Sequence, residues 1–388
     1  MGAHAYAYAG CILQDMGYYP IGSRFFSDLV HYVRSGDFVS NLIAESQDVN
    51  EYAFALGSLA HYAADTQGHS IAVNRSVPIQ YPKLKRKYGP AITYAQDPTA
   101  HIRVEFSFDV LQVARGNYAP QSYHDFIGFK VSKSLLERAF PVVYGLQMKD
   151  VIAHEDVAIG SYRFAISRLI PEMTQVALET HKKEITQEQP DFAKNKFLYR
   201  LSRTSYEKEW GKDYSKPGFG ARLLSLFFRL VPKIGPFKSL GFKKPTPQTE
   251  DLYFKSINAT VDQYRSFLHE VKADSLRLPN CDLDSGKATR AAEYTLADDT
   301  YAKLLQQLAA HKFDGLTPQL RDNIVSFYST PASANIHTKK KKNDWKNVEK
   351  DLQQLKATNI ASAAGGDAQT KTNSAIAPPS TQVCSAGQ

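Results

Sequence analysis

The strongest constraint on this 388-residue chain is one apolar helical segment that carries three potential metal ligands. Asp48 precedes Val49-Asn50-Glu51 and then an alanine-rich run to about His69, the pattern of a capping box opening a long buried helix. Within it His61, Asp65 and His69 recur every fourth residue. Each such step turns a helix by about 40° and advances it about 6 Å, so the three side chains stack along one face. Their neighbours, Ala53 to Ala60, are apolar, and burying two imidazoles and a carboxylate there without partners is costly. A buried metal ion removes that cost.

A second start signal is Asp97-Pro98, with aspartate as cap and proline in the first helical position, leading through His101 to about Ala114. His101 and Glu105 repeat the four-residue spacing there, and Asp15 and His31 add another carboxylate and imidazole upstream. One such spacing alone is common and usually makes a helix-surface pair; His31 alone reads as a packed histidine and Asp15 as a turn cap. Together the seven residues make a set suited to zinc, whose bonds to nitrogen and oxygen run near 2.0 to 2.2 Å.

These motifs, Ala9-Gly10 through Asp15, His31-Tyr32, His61-Tyr62-Ala63-Ala64-Asp65 to His69, and His101 to Glu105, resemble the zinc-dependent phospholipase C family over roughly residues 1 to 180. The three-residue gap between Asp65 and His69 is similar to that of the glycosylphosphatidylinositol-specific phospholipase D branch, whereas bacterial phospholipases C have five residues there. The resemblance implies an all-α domain with a zinc centre of two or three ions. Asp15, His31, His61 and Asp65 would hold one ion, with Asp65 bridging towards a neighbour; His69, His101 and Glu105 would hold another. Asp15 would also serve as general base. The third site of the family needs the mature amino terminus and an upstream histidine. Only Met1 and His4 precede Asp15, so that site is incomplete and a start further upstream, behind a signal peptide, is expected. An extracytoplasmic location, periplasmic or secreted, follows from the resemblance.

The implied activity is zinc-dependent hydrolysis of phospholipid phosphodiesters. Fungal single-strand nucleases share the superfamily but usually end the second motif with aspartate, so Glu105 favours the phospholipase side. Nucleic acid stays an alternative substrate, and a non-catalytic lipid- or partner-binding protein with a partial metal site is the third class.

Apolar residues recur at helical spacing through most of the first 330 positions, so the fold class is all-α, a multi-helix body with room for short strands. Further helices are expected at Ser132 to Tyr144, Asp156 to His181, Thr249 to Ala273 and Ala297 to His311. The expected organisation is a phospholipase C-like domain at 1–185, a helical extension at 186–330, and a low-complexity, disordered tail at 331–388, with a possible short helix around Trp345 to Leu355. Tyr214 to Lys244 mixes seven cations with leucines and phenylalanines and contains no acid. It fits a membrane-interface helix, or a helix packed on the core with its lysines in water. The net charge of +8 tolerates anionic partners, phospholipid surface or nucleic acid, without choosing between them. The longest apolar stretch, Leu223 to Val231, is interrupted by Ser225 and Arg229, too short to span a bilayer. Cys11, Cys281 and Cys384 show neither a disulfide framework nor a thiolate metal site. Oligomeric state is not legible.

Overall fold

Asp48 caps its helix as expected, accepting the N–H groups of Asn50 (2.8 Å) and Glu51 (2.9 Å). Glu51 does not close the expected box onto Asp48. Its carboxylate reaches one residue further back, to the Gln47 N–H at 2.8 Å, because Ser134 and Arg138 hold it from the other side. In this computed structural model, residues 2–114, 130–166, 170, 174, 242–330 and 342–358 are described.

The helices are α1 (Gly2–Gly10), α2 (Arg24–Tyr32), α3 (Ser35–Ala44), α4 (Val49–Gln67), α5 (Asn74–Gln80), α6 (Pro82–Tyr88) and α7 (Pro98–Ala114). They continue as α8 (Lys133–Tyr144), α9 (Met148–Val151), α10 (Glu155–Phe164), α11 (Pro247–Lys272), α12 (Thr295–Ala310), α13 (Pro318–Tyr328) and α14 (Lys342–Ala357). A 3₁₀ turn covers Gln14–Tyr18, and a π-helical turn, Gly68–Val73, joins α4 to α5. The only sheet among the described residues is a hairpin of β1 (Cys281–Asp282) and β2 (Lys287–Ala288), antiparallel with Cys281 opposite Ala288. The fold is thus all-α.

Two glycines let α1 lie directly on α4. A Cβ on Gly57 would run into the Ala7 carbonyl oxygen, and one on Gly10 into that of Phe54, so the backbones touch where they cross. This close approach brings the end of α1 and the following 3₁₀ turn against the His61 face of α4. The turn is tied down by Gln14 Nε2 donating to the Ser58 carbonyl at 3.0 Å and by the Gly17 N–H donating to Ser27 Oγ at 2.9 Å.

One cluster of buried side chains runs from Leu13 and Phe26 through Leu59, Tyr62 and Phe140 to Tyr301, Leu305, Ile324 and Leu355. Helices on both sides of the expected 185/186 boundary therefore share a core; the boundary itself lies outside the described residues. So do residues 214–241 of the basic segment and 359–388 of the tail. A smaller cluster, with Val77, Ile92, Val104 and Phe108, packs α7 against α5 and sets the height of His101.

The hairpin is held between α3 and α4. Ser35 Oγ receives the Cys281 N–H at 3.0 Å and donates to the Cys281 carbonyl at 2.6 Å, while the Leu283 N–H donates to the His31 carbonyl at 3.1 Å. Gly286 has φ +67°, and a Cβ there would press on the Thr66 carbonyl oxygen. Cys281 is disulfide-bonded and Cys11 is free, which corrects the expectation of no disulfide: three widely spaced cysteines carry no sign of which pair the fold brings together. No described helix is long and apolar enough to cross a membrane.

Candidate metal centre

All seven residues singled out from sequence fall into two neighbouring groups. In the first, His31 and His61 point their Nε2 atoms at each other across 3.5 Å. Asp65 Oδ2 lies 3.3 Å from His31 Nε2 and 3.1 Å from His61 Nε2, and Asp15 Oδ1 lies 3.4 Å from His31 Nε2. The helices aim these rings from behind. His31 Nδ1 sits 2.7 Å from the Ser27 carbonyl oxygen, one turn back on α2, and His61 Nδ1 sits 2.8 Å from that of Cys11, which the α1–α4 crossing puts in place. Each ring therefore donates outward through Nδ1 and leaves Nε2 for the interior, the arrangement that outer carbonyls impose on metal-binding histidine.

In the second group Glu105 Oε1 lies 2.9 Å from both His69 Nε2 and His101 Nε2, and the two imidazoles meet edge to face. His101 is fixed by α7, whose first turn is capped where Asp97 Oδ1 accepts the Ala100 N–H at 2.9 Å. His69 lies in the π-helical turn that follows α4. Such wide turns inside helices recur at functional sites.

Asp284 joins this second group and was missed from sequence. Its Oδ1 is 3.6 Å from His69 Nδ1 and 3.8 Å from His101 Nε2. No spacing signals it, because Asp282-Leu283-Asp284-Ser285-Gly286 reads as an ordinary turn. Among the described residues, two sets of potential ligands converge within 4.8 Å: Asp15, His31 and His61, and His69, His101 and Asp284. His4 belongs to neither.

The donors fit a divalent metal. Four ligands at zinc bond lengths stand about 3.3 to 3.6 Å apart at the corners of a tetrahedron, close to the separations in the first group. In the second, His69 Nδ1 and Asp284 Oδ1 are buried with no hydrogen-bond partner, a state that costs about 1 to 3 kcal/mol per group unless something else meets them.

The electrostatics show how strongly the site attracts positive charge. Burial opposes a charge on His31, yet the Asp15 and Asp65 carboxylates push its pKa up to about 10. Burial likewise opposes a charge on His61 and His69, and each is raised, His61 chiefly by Asp65 and His69 chiefly by Asp65 and Glu105. The carboxylates respond in kind. Burial favours neutral acids, but His61 and His69 hold Asp65 well below the ordinary range, and His101 and His69 do the same for Glu105. Without metal, protons bound to imidazoles supply the charge these acids require.

Exposure gives the site a direction. The His31 and His101 side chains are almost fully buried, whereas Asp15 is 40% exposed and Glu105 34% exposed. Each group thus has imidazoles at its floor and one carboxylate at its rim.

The described residues thus form an all-α fold carrying two neighbouring histidine–carboxylate groups that could each hold a metal ion. Residues 2–153 match the family described as zinc dependent phospholipase C. The matched segment contains both cages except Asp284. No curated protein and no solved structure matches the chain.

Proposed function

We propose that this chain is a zinc-dependent phosphodiester hydrolase of phospholipase C type, with Asp15, His31, His61 and Asp65 holding one ion and His69, His101 and Glu105 another. The observation that carries the proposal is the pair of adjoining cages, built on α4 and lying in the segment that matches this family. Zinc held by these residues would supply Lewis acidity, to activate water near neutral pH, and positive charge for the phosphoryl oxygens.

The chain's own residues supply orientation and proton transfer. His31 and His61 are locked by the Ser27 and Cys11 carbonyls, so their positions do not relax as the reaction proceeds. Asp65 lies one helical turn from both His61 and His69 and connects the two cages. Asp15, at the exposed rim of the first cage, is placed to take the proton of the attacking water and pass it to the leaving alcohol as the phosphorus–oxygen bond breaks. A phospholipid substrate is supported by Tyr18, 38% exposed with its ring 5.5 Å from that of His31, and by Ile21, 65% exposed in the loop that follows. The disulfide at Cys281 is in keeping with an extracytoplasmic location. Residues 1–185 would act as the hydrolase unit and 186–330 as a helical extension, with 331–388 a tail apart from α14, whose Leu355 joins the shared core.

The test is metal analysis of the purified full chain, followed by hydrolysis of phospholipid vesicles, a soluble phosphodiester and single-stranded DNA with and without chelator. Lipid hydrolysis lost to chelator and restored by zinc is expected. Chelator-sensitive DNA cleavage without lipid turnover would overturn the proposal.

A further inference from the structure

Asp284 sits at the tip of the β1–β2 hairpin and is 2% exposed. The turn that carries it is built by Asp282, whose Oδ1 accepts the N–H groups of Asp284 (3.1 Å) and Ser285 (2.9 Å). Asn74 Nδ2 donates to the Asp284 carbonyl at 2.7 Å, anchoring the tip to α5. The two carboxylate oxygens then differ sharply. Oδ2 receives the Tyr94 N–H at 2.8 Å and the Tyr294 hydroxyl at 2.7 Å. Oδ1 receives nothing, is buried, and faces His69 and His101 at distances beyond a hydrogen bond.

One oxygen fixed by outer donors and the other bare beside two imidazoles and a carboxylate is how a metal-binding aspartate is set up. Charge points the same way: Glu105 and Asp284 together balance a divalent cation when His69 and His101 are neutral. Four protein ligands close a zinc site, the arrangement of structural zinc and the one a clamp requires, whereas catalytic zinc leaves a position to water.

We propose that Asp284 is the fourth ligand of the second cage, so that metal uptake there and seating of the hairpin are one event. The metal would clamp the C-terminal part of the chain onto α7 and the π-helical turn after α4, and the matched segment 2–153 does not complete this cage by itself. The proposal rests on the zinc function above and adds a ligand from outside that segment.

The test uses the full chain, as wild type, Asp284→Asn, His101→Ala and His61→Ala. Zinc affinity is measured per site by competition with a chromophoric chelator, and amide exchange at 281–288 is followed with and without zinc. Asp284→Asn is expected to weaken one site by more than the roughly 10–100-fold that loss of an outer partner costs, as His101→Ala does, and to leave the other site intact. Zinc is expected to slow exchange at 281–288 in wild type and in His61→Ala, where only the second cage fills, but not in Asp284→Asn. Two tight sites of unchanged affinity in Asp284→Asn would overturn the clamp alone. Zinc-insensitive exchange at 281–288 in the wild type would also overturn it, and needs no variant to fold. A wild-type chain that takes up no zinc would overturn both the clamp and the hydrolase function.

Discussion

His31 and His61, from different helices, meet Nε2 to Nε2 at 3.5 Å, with both Nδ1 atoms already committed to backbone carbonyls. Two ring nitrogens so placed repel unless a proton or a metal ion lies between them. Replacing His61 by alanine is expected to remove one zinc per chain and lower phosphodiester hydrolysis by at least about 100-fold, since even outer-shell losses reach that range. Metal analysis with circular dichroism separates this from misfolding. Full zinc content and full activity in the variant would contradict the assignment.

Zinc uptake is expected to be proton-coupled. His31 is pushed up to about 10, so at neutral pH it holds a proton that metal must displace; the neighbouring carboxylates shift His61 and His69 in the same direction. Zinc affinity therefore rises with pH up to about 10, where His31 gives up its proton, and falls on acidification. Calorimetry in two buffers of different ionisation enthalpy should show net proton release; identical heats would speak against it.

Ile21 is exposed and holds φ +65°, a strained region for a β-branched side chain. If this loop meets the lipid surface, Ile21→Gly should lower hydrolysis of vesicles while leaving that of a soluble phosphodiester unchanged. Relief of strain, about 1 kcal/mol, keeps the melting temperature at or above wild type. Equal loss on both substrates would place the residue's effect elsewhere.

Glu51 joins the α4 cap to α8. Burial opposes its charge, but the Gln47 N–H, the Ser134 hydroxyl and Arg138 hold its pKa below the usual value. Its stabilisation is therefore present above the unfolded pKa of about 4.3 and is lost as pH falls through the depressed folded value. Glu51→Gln should cost about 1 to 3 kcal/mol at pH 7, and the gap from wild type should narrow below about pH 4. Denaturant titrations at both pH values check this.

At the α1–α4 crossing, Gly57→Ala forces the backbones apart and should destabilise the protein by about 1 to 3 kcal/mol or more. Gly160→Ala, on α10 with nothing within 4 Å, should stabilise it by up to about 1 kcal/mol. Opposite shifts in melting temperature are expected; a neutral Gly57→Ala would mean that the crossing is looser than described.

The sequence by itself determined the long helices α4, α7, α8, α11 and α12 and the ligand pairs carried within single helices, while short helices such as α3, α5 and α6 gave no signal of their own. His61 with Asp65, and His101 with Glu105, were legible because a helix brings every fourth residue to one face whatever surrounds it. The Asp48 and Asp97 caps were legible for the same local reason. Tertiary structure decided the rest. Burial of one shared core placed C-terminal helices beside α4, and the glycine crossing set the Cys11 carbonyl behind His61. The hairpin, pinned by Ser35 and Asn74, brought Asp284 to His69 and His101. Side chains distant in sequence meet only through packing, and an aspartate in a polar turn looks the same in sequence whether its carboxylate faces water or a cage of imidazoles.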